Sequence, residues 1–251
     1  MERYYFDCAD YQNDMVRTLI ACFRHAVSLY VEGHVYNRMV MLAGQNDGMA
    51  SMQTLMAQHL GMVNVNRSNR IPEIPLNIVF STVRRYNVNQ DLCDLVISCD
   101  LDSKELLKVE DGNRFGITDN IEIRQYADMT LWGGVWGVAN PSNPNNSFLQ
   151  LNPQPIVQHA LDQISRAINT TNQTVFHPAD DNFVKTVIMA LHHHIGNIDS
   201  DEVFAYVIRN CHWPIGIANI LKRYFDTINE GRYFHGGDRH RNRWAELIAG
   251  W

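Results

Sequence analysis

Apolar residues recur with two different periods along this chain, and the changes of period mark its elements. Between residues 10 and 32, Met15, Leu19, Cys22, Phe23, Ala26, Leu29 and Tyr30 fall at helical spacing. Asp10 can cap this helix, Asp14 favours its first turn and Gly33 ends it. The apolar stretch VYNRMVML stops at Gly44. Asn46 or Asp47 then caps a helix through Met49, Met52, Leu55, Met56, His59 and Leu60, closed by Gly61. From residue 62 the signals change. MVNVNRSNRIPEIP alternates and holds two prolines, as a strand edge or a loop does, while LNIVFSTVRRY and DLCDLVISCD fit either helix or strand. Asp102 or Ser103 caps a short helix, SKELLKVE. Residues 115–138 read as β, with Ile117, Ile121 and Ile123 at odd positions and Trp132 and Trp136 at even ones. ANPSNPNN (139–146) is a loop or linker and the best candidate for a boundary. Beyond residue 153 every segment is helical in pattern, with starts at Pro155, at Ala179-Asp180-Asp181, at Asp199 or Ser200, and at Trp213-Pro214. RHRNRWAELIAG supplies the last helix. The expected fold is therefore α+β and mainly α. A mixed α/β N-terminal portion (1–146) holds the β-containing middle segment, and an all-α portion (147–251) follows; together they can form one unit.

Composition narrows the partners. The chain of 251 residues carries 21 basic and 27 acidic residues, a net charge of −6. Residues 1–150 hold 12 basic and 17 acidic groups, and residues 151–251 hold 9 and 10, so neither half has the basic surface of a general nucleic-acid binder. Lysine occurs only at Lys104, Lys108, Lys185 and Lys222, against 17 arginines. Arginine suits interfaces, where lysine is depleted. The five cysteines form no CxxC pair and no disulfide framework. The N-terminus lacks the apolar core of a signal peptide, and no apolar run reaches the roughly 20 residues of a membrane span. A reducing, intracellular site of synthesis is expected.

Candidate chemistry is sparse. ALHHHIGNID places His192, His193 and His194 in succession. Neighbouring helix residues point about 100° apart, so the three cannot converge on one ion; a helix C-terminus, where the dipole favours histidine, accounts for them. ALHHHIG resembles the ALLHDIG-type stretch of the HD-domain metal phosphohydrolases. That resemblance implies a metal set of His177, His193, His194 and Asp226, although His194 stands where the family has its aspartate. No GxSxG, P-loop, GxGxxG or HExxH motif occurs, and no cofactor is expected.

Two segments suit contacts. RYFHGGDRHRNRW (232–244) sets Arg232, Arg239, Arg241 and Arg243 among Tyr233, Phe234 and Trp244. Such a segment can clamp single-stranded RNA, dock on an acidic subunit, or remain solvated. In MTLWGGVWGV, one of Trp132 and Trp136 is expected in the core and the other in an interface. Met39, Met41, Met49, Met52, Met56 and Met62 are expected to pack the core.

In residue usage, with low charge, arginine over lysine and loops such as NPSNPNNSFLQLNPQP, the chain resembles capsid and virion proteins of reovirus-type double-stranded RNA viruses. The resemblance rests on no motif. It implies a structural protein without enzymatic activity, in the virion or host cytoplasm. Its partners would be its own copies and other shell proteins, with Trp132, Trp136, Arg239, Arg241, Arg243 and Trp244 as candidate contacts. RNA binding through the arginine-rich segment and an HD-like hydrolase are the alternatives.

Overall fold

The structure is a computed structural model that describes residues 2–33, 36, 38–65, 68–72, 74–86, 94–111, 118–124, 129–170, 175–232 and 244–250. The fold is α+β and mainly α. The chain divides into two compact units: Met1–Gly133 with Gly137–Leu149, and Gly134–Trp136 with Gln150–Trp251.

The first unit is built on one sheet. Its strands are β1 (Arg3–Asp7), β2 (Arg38–Ala43), β3 (Val63–Val65), β4 (Ser68–Ile71), β5 (Ile74–Thr82), β6 (Asp94–Cys99) and β7 (Thr118–Arg124), in the spatial order β1-β7-β6-β2-β5-β4-β3. The first five of that order run parallel, and β4 and β3 extend the sheet antiparallel. Strands thus begin at residue 3 and are not confined to the middle of the chain. Helices α1 (Met15–Val31), α2 (Asn46–His59) and α3 (Ser103–Asp111) connect them, and α4 (Thr130–Trp136) follows β7.

Burial explains the ambiguous segments. Met39–Ala43 of β2 are at most 3% exposed, because helices cover the sheet on both faces. A strand buried on both sides shows a continuous apolar run and no alternation. Met39, Met41, Leu95 and Ile97 share one core with Leu19, Cys22 and Phe23 of α1 and Met52 and Met56 of α2. On the opposite face Arg3 forms an ion pair with Glu110 of α3 at 2.8 Å, and the Trp132 indole N–H donates to the same carboxylate at 3.1 Å.

Two sequence expectations are corrected here. Residues 130–136 are helix, not strand. Trp132 and Trp136 lie four apart, a separation that matches two strand repeats and one helical turn equally well. Met129, Trp132 and Val135, all fully buried, show the helical spacing, and Gly137 ends the helix in the left-handed conformation (φ 67°). The stretch 139–146 is a loop, one of the two readings given for it, and it is held in place by hydrogen bonds. The Tyr5 N–H donates to the Ala139 carbonyl, Asn140 and Asn143 both donate to the Asp10 carboxylate at 2.8 Å, and Asn146 donates to Asp7. Asp10, expected to cap α1, serves this loop instead. Asp14 is the cap, accepting from the Val16 and Arg17 amides.

The second unit is helical: α5 (Pro155–Ala167), α6 (Pro178–Ile195), α7 (Ser200–Arg209), α8 (Ile215–Asn229) and α9 (Trp244–Ala249). Local signals set its boundaries. Pro155 and Pro178 occupy first turns, and Asp199 caps α7 by accepting from the Asp201 and Glu202 amides. Val157, Leu161, Ile188, Leu191, Phe204, Leu221 and Phe225 are among its core residues. Within this unit Arg209 donates to the carbonyls of Val135 and Leu151 and to the Asn152 side chain.

Candidate functional site: a crevice at the carboxyl ends of β2, β5 and β6

Strand order places the site. From β2 the chain passes through α2 and the β3–β4 hairpin to β5 on one side of β2. From β6, on its other side, it passes through α3 to β7. The winding therefore reverses between β2 and β6. The loops leaving their carboxyl ends diverge to opposite faces, and an open parallel sheet binds ligands at such a switch point. Two adjoining cavities of the first unit lie here and share Gly44, Gln45 and Asp47.

The first lobe, about 690 Å³, is lined by Gly44–Asp47, Thr82, Arg84 and Arg85. Asn46, Asp47 and Gly48 form the first turn of α2, where backbone N–H groups have no helical partner. The preceding Gln45 makes no side-chain cap bond. Arg84 and Arg85 follow the end of β5, are exposed, and form no ion pair among the described residues. Thr82 is 4% exposed, and its side chain has no hydrogen-bond partner among them. Two cations and one acid, Asp47, give this lobe a positive balance.

The second lobe, about 440 Å³, has the opposite character. Met15, Ala43, Met52 and Leu55 supply apolar surface, and Asp47, Asp100 and Glu105 supply three carboxylates with no cation. Asp100 leaves β6 in the left-handed conformation (φ 56°). Glu105 and Asp102 cap α3 reciprocally: the Glu105 amide donates to the Asp102 carboxylate at 2.8 Å, and the Asp102 amide donates to Glu105 at 3.2 Å. Gly44 sits against this pair, since a Cβ there would lie 3.2 Å from Glu105 Oε1.

None of the contact, RNA-binding or metal candidates drawn from the sequence lies in this crevice, although Met52 of the methionine cluster lines its second lobe. Trp132 is fully buried and bonded to Glu110, so it is core and no contact residue. Trp136 is half-buried. Arg239, Arg241 and Arg243, with Tyr233 and Phe234, lie outside the described residues, as does the Trp244 side chain. Arg232 is exposed and paired with Glu230. The metal set suggested by the HD resemblance does not assemble. His177 caps the start of the 18-residue α6 and His193 and His194 stand at its end, roughly 24 Å away at 1.5 Å per residue. Asp226 accepts the Ser200 hydroxyl at 2.5 Å. No group of three potential metal ligands occurs among the described residues. ALHHHIGNID is a helix end: the His192 ring meets the Asn197 side chain, and Gly196 ends the helix. Burial pushes the Cys211 thiol up to about 12, away from the thiolate form that nucleophilic chemistry uses.

Sequence reasoning missed Thr82, Arg84, Arg85, Asp100 and Glu105. The usable signal was AGQNDGM, an apolar run ending at a glycine that opens directly into a helix, but only the strand order reveals that this turn faces β5 and β6.

No helix among the described residues is long and apolar enough to cross a membrane. No curated protein and no solved structure matches the chain. Residues 153–251, within the helical unit, match the family model described as Domain of unknown function (DUF1889).

Proposed function

We propose that the first unit binds a small anionic ligand in the crevice at the carboxyl ends of β2, β5 and β6. The observation that carries this reading is the pairing of a switch-point cavity with two arginines that have no counter-ion among the described residues. Elsewhere in the molecule, cations near acids are used in pairs: Arg3 with Glu110, Lys185 with Asp181, Lys222 with Asp201. Arg84 and Arg85 stand beside the first turn of α2, whose free amides and dipole favour an anion. The lobe's volume lies within the range typical of small-molecule sites.

The test is a thermal-shift series with inorganic pyrophosphate on the full chain. The wild type is expected to melt higher as pyrophosphate is added, and the double variant Arg84→Ala, Arg85→Ala to melt at one temperature throughout. Both side chains are exposed, so the substitutions leave the fold intact. Equal shifts in the two proteins, or no shift in either, would overturn the reading.

The structural, self-assembling reading drawn from residue usage loses Trp132 as an anchor. Light scattering on a sizing column tests what is left of it: a trimer or larger closed species supports assembly, and a 28.9 kDa monomer speaks against it.

A further inference from the structure

We infer that the ligand of this crevice is a ribonucleotide, with its phosphate in the Arg84–Arg85 lobe and its nucleoside in the Met15–Met52 lobe. The inference rests on the anion-binding reading above and adds the ligand's class and orientation. The two lobes adjoin through Gly44, Gln45 and Asp47, so one molecule can occupy both. Their chemistry is opposite. The first offers donors and cations: the α2 amides, Arg84 and Arg85. The second offers acceptors and apolar surface: Asp47, Asp100, Glu105, Met15, Met52 and Leu55. A ligand that is anionic throughout, such as a polyphosphate, would meet three carboxylates there. A ligand with an anionic end and a donor-rich, partly apolar end meets complementary groups in both, and a nucleotide has that shape.

Thr82 is the independent sign that the phosphate lobe is built for a ligand. It is 4% exposed, it lines the lobe, and its side chain finds no hydrogen-bond partner among the described residues. Its hydroxyl is not one of the fully enclosed polar atoms, so it is open to the lobe, where a ligand oxygen can reach it. A phosphate oxygen there accepts from the Thr82 hydroxyl, the α2 amides and the arginines together. In the second lobe, Asp100 is the acceptor for the ribose diol. Its carboxylate makes no ion pair or hydrogen bond among the described residues, and a carboxylate can take both hydroxyl protons of a cis-diol. Met15, Met52 and Leu55 supply the apolar surface for the base.

The test is titration calorimetry on the full chain with inorganic phosphate, AMP and 2′-deoxy-AMP, in the wild type and in Asp100→Asn. Asparagine adopts the left-handed conformation of residue 100 as readily as aspartate does, so the variant folds. AMP is expected to bind at least about tenfold more tightly than inorganic phosphate. Asp100→Asn is expected to weaken AMP about tenfold, as the loss of a charge-assisted hydrogen bond does, and to leave phosphate unchanged. The 2′-deoxy form should bind the wild type as weakly as AMP binds the variant. If phosphate and AMP bind equally and both fail with Arg84→Ala, Arg85→Ala, the nucleoside placement is wrong and the anion reading stands. AMP binding indifferent to Asp100→Asn also overturns the placement. If neither phosphate nor AMP binds, both readings fall.

Discussion

The two units spend their polar groups differently. In the helical unit they are bonded to one another. Asp162 accepts the Tyr206 hydroxyl at 3.0 Å, Asp181 takes both Lys185 and Tyr224, and Lys222 reaches Ser200 and Asp201. The Asn229 side chain bonds the backbone of Ile198 in both directions. Burial and the Asp162 partnership push the Tyr206 hydroxyl up to about 12, so it remains a protonated donor to Asp162 across the physiological range. In the sheet unit the polar groups at the carboxyl ends of the strands stay open: Thr82, Arg84, Arg85, Asp47 and Asp100. Acceptors and donors already matched within the fold have little left for a ligand. The comparison therefore points to the sheet unit as the one that binds.

Three measurements break or sharpen this contrast. The largest effect is expected from Arg3→Met. Glu110 has a side chain only 5% exposed, and the substitution removes a cation paired with it; breaking a buried ion pair from one side costs about 3–5 kcal/mol. Hydrogen exchange should show the loss in the strand amides. An equal loss in the α7 amides would mean that the two units unfold as one. The next effect is local. Asp199→Ala removes the cap of α7 and should cost about 1 kcal/mol, read as a shift of the urea midpoint with its slope unchanged.

The smallest effect is a pH dependence carried by His25. This side chain lies 4.3 Å from the Tyr4 ring and 5.6 Å from the Phe6 ring, and its Nε2 is buried without a partner among the described residues. Burial lowers its pKa below 6.5, against the opposing pull of Glu32 and Glu2. As the pH falls, the unfolded chain takes up the proton first. Stability is then lost from about pH 6.5 downward, until the folded imidazole titrates as well. His25→Phe should flatten that part of the profile in denaturation measured at pH 7.5 and 5.5. An unchanged slope would show that His25 is not its source.

The same contrast explains what could be read from the sequence. The helices of the second unit declare themselves locally, through Pro155, Ala179-Asp180-Asp181, Asp199 and apolar residues three and four apart. The sheet is set by pairings between distant residues, such as Arg3 with Asn120 and Met39 with both Ile78 and Leu95. No local period encodes them. LNIVFSTVRRY and DLCDLVISCD stayed ambiguous because burial on both faces removes alternation. The TLWGGVW segment misled because its tryptophans are spaced four apart. The crevice was invisible for a related reason: its residues come from positions 15, 43–55, 82–85 and 99–105, and only the strand order brings them together.

The position of β1 has a consequence for how the molecule is made. Residues 3–7 leave the ribosome more than a hundred residues before 118–124, their neighbours in the sheet, and before the asparagine loop that bonds Asp7 and Asp10. Until then β1 has no strand to pair with, and its row of backbone donors and acceptors is open to other chains. The helices that follow meet their neighbours within a few tens of residues and can pack as they emerge. Slowing translation after residue 147 would give the sheet time to close before those helices arrive, whereas a pause before residue 118 would lengthen the interval in which its first strand waits alone.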